Sequence, residues 1–178
     1  NQIKGFFFFF GFYDVDVRVL EKRDSKMRNG VVLEFEIDQN ERVKIDKIVI
    51  DGNKELSDKK IRSKMSETKQ KGKIFGKSKL VKSDLEKDKD KVIKYYNKNG
   101  FRDARILKDS TWRDENGLLG LKLFVEEGPR FYFGNISWKG NSLHEDKRLN
   151  AFLGIKKGDV YNQELLEQRL KYSQDGQD

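Results

Sequence analysis

The sequence predicts an α+β fold, a tandem array of one small β-α-α-β-β domain in which a three-stranded mixed sheet carries two helices on one face. Three observations lead there. Leu33-Glu34-Phe35-Glu36-Ile37 recurs as Leu121-Lys122-Leu123-Phe124-Val125, and Ile48-Val49-Ile50-Asp51-Gly52-Asn53 recurs as Ile136-Ser137-Trp138-Lys139-Gly140-Asn141, both 88 residues on (33 to 121, 52 to 140). Apolar residues alternate with polar ones in these segments, the period of half-buried strands. Between them lie segments with helical spacing and capping residues. An internal repeat of this length marks an array of small units.

The elements follow in chain order. An offset of 89 aligns Gly11-Phe12-Tyr13-Asp14-Val15 with Gly100-Phe101-Arg102-Asp103-Ala104. After Gly11, Val15, Val17 and Val19 alternate with charged neighbours, Asn29-Gly30 reads as a turn, and Leu33, Phe35 and Ile37 return as a second strand. Ile48 and Ile50 then form a short strand running into the tight turn Gly52-Asn53. Ser57 reads as the N-cap of a helix whose Ile61 and Met65 share a face. Ser83-Asp84-Leu85-Glu86 reads as a capping box opening a second helix, with Leu85, Val92, Ile93 and Tyr96 as its buried stripe and Gly100 as its left-handed stop. Ala104 and Ile106 begin a strand, Asn116-Gly117 turns, and Leu121, Leu123 and Val125 point inward from the last one. In the next copy a strand over 136–139 ends in Gly140-Asn141, and Leu149, Phe152 and Leu153 repeat the helical stripe.

By this register the chain holds the C-terminal part of one domain (1–41), a complete domain (42–129) and the N-terminal part of another (130–178). The links Asp38-Gln39-Asn40-Glu41 and Glu127-Gly128-Pro129 are short, so the array is expected to be semi-rigid. Both natural ends are expected to lie outside the sequence, which opens within a pattern and stops in a polar turn.

Composition narrows function by exclusion. With 38% charged and 35% hydrophobic residues the chain is polar yet rich enough in Phe, Ile, Leu and Val for several small cores. Zero cysteines remove disulfides, thiolate metal sites and cysteine nucleophiles. No run approaches the roughly 18–20 apolar residues that cross a bilayer as a helix. A net charge of +8 permits nucleic acid, anionic lipid or acidic protein as partner without choosing among them.

No constellation carries catalysis, and no cofactor or metal is expected. Gly72-Lys73-Ile74-Phe75-Gly76-Lys77-Ser78 nearly spells a phosphate-binding loop, but three residues separate its glycines where the motif needs four. The stretch from Lys69 to Lys82, with Lys71, Lys73, Lys77 and Lys79 as basic contacts, reads first as a solvated loop and second as an interaction surface. Only Phe75 interleaves these lysines as a stacking platform, which weakens a nucleic-acid reading. His144 stands alone beside Glu145 and Asp146 and reads as surface capping at a helix start. Glu126 and Glu127 are neighbours on a strand end and point to opposite faces, the wrong geometry for an acid and base pair. Asn135-Ile136-Ser137 fits a glycosylation sequon but falls in the expected strand and is discounted. In Phe6 to Phe10 the alignment places Phe6 and Phe7 on Tyr95 and Tyr96, but Phe8, Phe9 and Phe10 on a solvated helix end. A contact patch is one reading, and the preferred one is that some of these residues do not represent the true sequence.

The ordered set of a strand ending in Gly52-Asn53, a capped helix, a second helix closing on Tyr95-Tyr96-Asn97-Lys98-Asn99-Gly100-Phe101-Arg102-Asp103-Ala104 and a strand ending in Val125-Glu126-Glu127-Gly128-Pro129 resembles the POTRA domain, the polypeptide-transport-associated repeat. The resemblance covers essentially the whole chain. It implies the periplasmic arm of an outer-membrane β-barrel assembly factor in a diderm bacterium, which receives unfolded outer-membrane proteins, holds partner lipoproteins and leads to a C-terminal membrane barrel absent here. The POTRA region of a two-partner secretion or translocation exporter is the alternative within the family, and a basic nucleic-acid-binding protein the alternative outside it. The resemblance implies β-strand addition at a sheet edge, which agrees with the physics of an unpaired strand. The expected edge is Asp103, Ala104, Arg105, Ile106, Leu107, Lys108 and Asp109, continuing to Trp112. Gly52, Asn53, Gly100, Gly128, Gly140 and Asn141 are its expected structural turns.

Overall fold

The computed structural model describes residues 2–70 and 79–171. In chain order these form α1 (Gln2–Phe9), β1 (Asp16–Arg23), β2 (Val31–Asp38), β3 (Ile45–Asp51), α2 (Asp58–Arg62), α3 (Lys82–Lys98), β4 (Arg105–Arg113), β5 (Leu119–Glu126), α4 (Asp146–Leu153) and α5 (Gln163–Lys171). β1 and β2 pair as an antiparallel two-stranded sheet, and a mixed three-stranded sheet has the order β3-β5-β4. The expected β-α-α-β-β order is therefore present from β3 to β5.

The chain divides into two compact units. One comprises Asn1–Val49, Met65–Lys89 and Ser110–Lys122; the other comprises Ile50–Lys64, Asp90–Asp109 and Leu123–Asp178.

In the first unit, β1 and β2 pair in the register Val17↔Ile37 and Val19↔Phe35, as their alternation predicts. The connection is not a two-residue Asn-Gly turn. It is a loop organised by the Asp24 carboxylate, which accepts the amides of Lys26 at 2.7 Å and Met27 at 3.3 Å, while the Asp24 amide donates to the Gly30 carbonyl at 3.0 Å. Asp114 repeats this device between β4 and β5, accepting the amides of Asn116 at 3.0 Å and Leu118 at 2.8 Å. The buried apolar side chains of this unit are Val15, Ile45, Ile48, Met65, Leu80, Leu85, Leu119 and Leu121. Each contributes roughly 1.5–3 kcal/mol by leaving water.

In the second unit the core is Ile50, Ile61, Val92, Tyr96, Phe101, Ala104, Leu123, Val125 and Ile155. The last turn of α3 is closed by a left-handed Gly100 at φ 92°, with the Gly100 amide on the Asn97 carbonyl and the Phe101 amide on the Tyr96 carbonyl. This is the paired-bond C-cap that the glycine predicts.

Four local expectations are corrected. Ser57 is the N-cap of α2 by backbone, but its hydroxyl makes no capping bond. α3 begins at Lys82, with the amides of Asp84 and Leu85 on the Val81 carbonyl, so Ser83 lies inside the first turn and does not cap it. Glu145, not His144, is the N-cap of α4. The expected strand over 136–139 has no ladder; only Tyr132 is bridged nearby, to Val160. A strand exists only where a neighbour satisfies its N–H and C=O groups, and among the described residues none pairs with that segment as a strand.

Candidate functional site

The order β3-β5-β4 leaves β4 hydrogen-bonded to β5 on one side and at the border of the sheet on the other, among the described residues. The strand runs from Arg105 to Arg113, so Asp103 and Ala104 of the expected edge lie just before it. Ala104 is buried with its amide on the Phe101 carbonyl at 3.2 Å, which anchors the strand's start. Arg105 Nε donates to Glu126 Oε2 at 2.7 Å. Ile106 is half-buried, Leu107 is 57% exposed, and Lys108 Nζ sits 4.6 Å over the Phe124 ring. Asp109 is exposed. Farther along, the Trp112 indole lies against the bare backbone of Gly120, where an added Cβ would come within 2.2 Å of the ring. Arg113 closes the strand, donating from Nη1 to the Gly117 carbonyl at 2.9 Å and pairing through Nη2 with Asp14 at 2.5 Å. β4 is thus fixed at both ends and carries an exposed leucine near its start, a presentation that suits an incoming extended peptide.

Two buried carboxylates brace the loops on either side of α2, and sequence reasoning missed both. Glu127, directly after β5, accepts the amides of Lys54 at 2.8 Å, Glu55 at 2.9 Å and Leu56 at 3.2 Å, and the Tyr96 hydroxyl at 3.1 Å. Burial, then the negative charge of Glu127, pushes the Tyr96 hydroxyl well above its ordinary pKa, so it stays a donor. Asp88, fully buried on α3, accepts the amides of Ser66 at 3.0 Å, Glu67 at 3.0 Å and Thr68 at 2.5 Å. A signal existed in each case. Glu127 continues the inward parity of Leu119, Leu121, Leu123 and Val125, and Asp88 interrupts the stripe of Leu85, Val92 and Tyr96. A charge at a core position asks for hydrogen-bond donors brought from elsewhere.

The expected turn residues are placed as follows. Gly52, Gly100, Gly128 and Gly140 have positive φ. At Gly52 an added Cβ would come within 2.1 Å of the Val125 carbonyl oxygen, so only glycine fits. Asn53 reaches across its loop, donating from Nδ2 to the Leu56 carbonyl at 2.7 Å and to Asp58 at 2.8 Å. Asn141 makes the equivalent bond to the His144 carbonyl, 88 residues on (56 to 144). Lys79 is exposed and bridges Lys44. Lys71, Lys73 and Lys77, and the near phosphate-loop sequence from Gly72 to Ser78, lie outside the described residues.

Among the described residues no group of three or more His, Cys, Asp or Glu could hold a metal ion, and no helix is long and apolar enough to cross a membrane.

Comparison with known proteins agrees with this architecture. The chain is 28% identical over 158 residues to the outer membrane protein assembly factor BamA of Neisseria meningitidis serogroup B, covering 85% of this chain and 20% of that protein. It is 29% identical over 142 residues to BamA of Nitratidesulfovibrio vulgaris, covering 78% of this chain and 18% of that protein. The chain therefore spans about a fifth of the length of these relatives. Among solved structures it is similar to POTRA3-5 of Haemophilus influenzae BamA, with a TM-score of 0.52 and 16% identity over 97% of this chain and 66% of that one, a likeness of fold. The POTRA family model, described as surface antigen variable number repeat, matches residues 43–128 and 131–176, and the chain belongs to the POTRA family.

Proposed function

We propose that this chain is part of the periplasmic POTRA arm of an outer-membrane protein assembly factor, a non-catalytic scaffold that receives unfolded β-barrel proteins and holds partner lipoproteins. The relatives that span most of the chain are named as assembly factors, which supports the setting. The observation that carries the mechanism is the open border of β4, opposite its single partner β5. Outward N–H and C=O groups there hydrogen-bond any extended chain, giving affinity with little sequence preference, as suits a receiver of many substrates. Exposed Leu107 adds an apolar contact for alternate side chains of the incoming strand. We divide the array into parts of POTRA domains at 1–41 and 130–178 flanking a complete domain at 42–129, consistent with the two matched segments.

The test is an amide chemical-shift titration of this chain with an extended peptide copied from a strand of an outer-membrane β-barrel. Shifts are expected to concentrate in Arg105 to Trp112 and to weaken in Leu107→Asp. Shifts confined to other elements, with β4 unmoved at saturation, would refute the edge as receiver.

A further inference from the structure

One set of contacts occurs twice in this chain, each time within one compact unit. In the first, the Val43 amide donates to the Gly11 carbonyl at 3.4 Å, the Leu80 amide donates to the Val43 carbonyl at 3.3 Å, and the Arg42 guanidinium lies 5.0 Å over the Phe12 ring. In the second, the Phe131 amide donates to the Gly100 carbonyl at 2.8 Å, the Tyr161 amide donates to the Phe131 carbonyl at 3.0 Å, and the Arg130 guanidinium lies 5.8 Å over the Phe101 ring. The isolated bridge Lys44↔Lys79 of the first has its counterpart in Tyr132↔Val160 of the second. Phe12 meets Phe7 edge-on at 6.4 Å and 83°, and Phe101 meets Tyr96 edge-on at 5.9 Å and 86°.

The glycine at the centre is needed for two reasons. Gly11 and Gly100 have φ of 88° and 92°, in the left-handed region. An added Cβ would lie 2.4 Å from the Leu80 carbonyl oxygen in the first case, and 2.8 Å from Val160 Cγ1 in the second. The glycine permits the following segment to cross its carbonyl at hydrogen-bond distance. The arginine then closes over the aromatic ring directly after that glycine, a planar cation on a π face.

We propose that this set is a repeated junction lock, in which the arginine opening each POTRA domain clamps the phenylalanine that follows the glycine after the last helix of the domain before it, making the link between consecutive domains stiff. The proposal rests on the division at 41/42 and 129/130. Each junction falls inside one compact unit: Asn1–Val49 takes in residues on both sides of the first boundary, and Leu123–Asp178 residues on both sides of the second. Each junction has its own reinforcement. Asp14 accepts from Arg113 and lends its carbonyl to Asn40 Nδ2 at 2.8 Å in the first; Lys98 pairs with Glu164 at 2.6 Å, and Arg130 Nε donates to the Asn99 carbonyl at 3.0 Å in the second.

The chain has no cysteine, so spin labels can be placed at will. Double electron-electron resonance is measured on three labelled pairs: Ser25→Cys with Lys59→Cys across the first junction, Lys59→Cys with Lys147→Cys across the second, and Lys59→Cys with Glu115→Cys inside the complete domain. Arg42→Ala should abolish the narrow distance distribution of the first pair alone, and Arg130→Ala that of the second alone. Distributions as narrow in both arginine variants as in the parent overturn the lock. So does widening of the pair inside the complete domain, which would mean the arginines support the domain's own fold. If that inner pair is already broad in the unsubstituted chain, the domain division itself fails and the lock falls with it.

Discussion

The Tyr96 hydroxyl donates to Glu127 Oε1 at 3.1 Å in the interior, joining the end of α3 to the residue that follows β5. The same carboxylate accepts three successive amides, from Lys54 to Leu56, in the loop between β3 and α2. One buried charge therefore ties together three segments that are far apart in sequence. Its four donors offset the desolvation that would otherwise expel it.

Replacing Glu127 with alanine leaves three amides and a hydroxyl without their acceptor, and is expected to destabilise the fold by about 2–4 kcal/mol. Glu127→Gln, which keeps one acceptor oxygen but loses the charge, should fall between the two. Urea unfolding followed by circular dichroism measures both. A Glu127→Ala midpoint equal to that of the parent would show that the carboxylate is not a structural brace.

Tyr96→Phe removes one hydrogen bond while keeping the ring, so its neutral-pH effect should be small, about 1 kcal/mol. The pH dependence is more telling. The folded-state pKa of Tyr96 is raised above the ordinary 10.0, by burial first and by Glu127 next. Its contribution is therefore complete below that ordinary value and is lost as pH climbs above it toward the folded value. Unfolding free energy should decline less steeply above pH 10 in Tyr96→Phe than in the parent. Parallel alkaline limbs would contradict this assignment.

Asp88→Asn should cost about 1–3 kcal/mol, because an amide returns one acceptor oxygen to amides that now meet a carboxylate. Hydrogen exchange should report the change locally. The amides of Ser66, Glu67 and Thr68 are expected to lose protection before those of β5. Uniform loss across the chain would point to global destabilisation alone.

Gly120→Val places a branched side chain where the Trp112 indole lies, with even the first added atom 2.2 Å from the ring. Displacing the indole is expected to cost about 1–3 kcal/mol. With Trp138 replaced by Phe, the remaining tryptophan emission should shift to the red as the ring moves into water. An unchanged spectrum would mean that the ring does not lie on Gly120.

Much of the β-α-α-β-β unit from β3 to β5 was legible in the linear chain. The alternation of Leu121, Leu123 and Val125, the stripe of Leu85, Val92 and Tyr96, and Gly100 as a helix stop are local periodicities, and local periodicity survives without knowledge of partners. The edge position of β4 followed from the resemblance, whereas its limits, Arg105 to Arg113, needed coordinates because strand ends depend on where pairing stops. The expected strand over 136–139 failed for the complementary reason, since alternation creates a strand only beside a partner.

By itself, the sequence determined the repeat, the order of elements and the absence of cysteine chemistry, because composition and period are properties of neighbours along the chain. Only the tertiary structure decided the roles of Glu127 and Asp88. The amides Glu127 receives lie 71 to 73 residues away, and those of Asp88 lie 20 to 22 away. It likewise showed that Arg42 meets Phe12 and Arg130 meets Phe101 in the same manner. A buried charge or a planar cation is assigned by what folding brings to within about 3–6 Å of it, and no spacing along the chain records that distance.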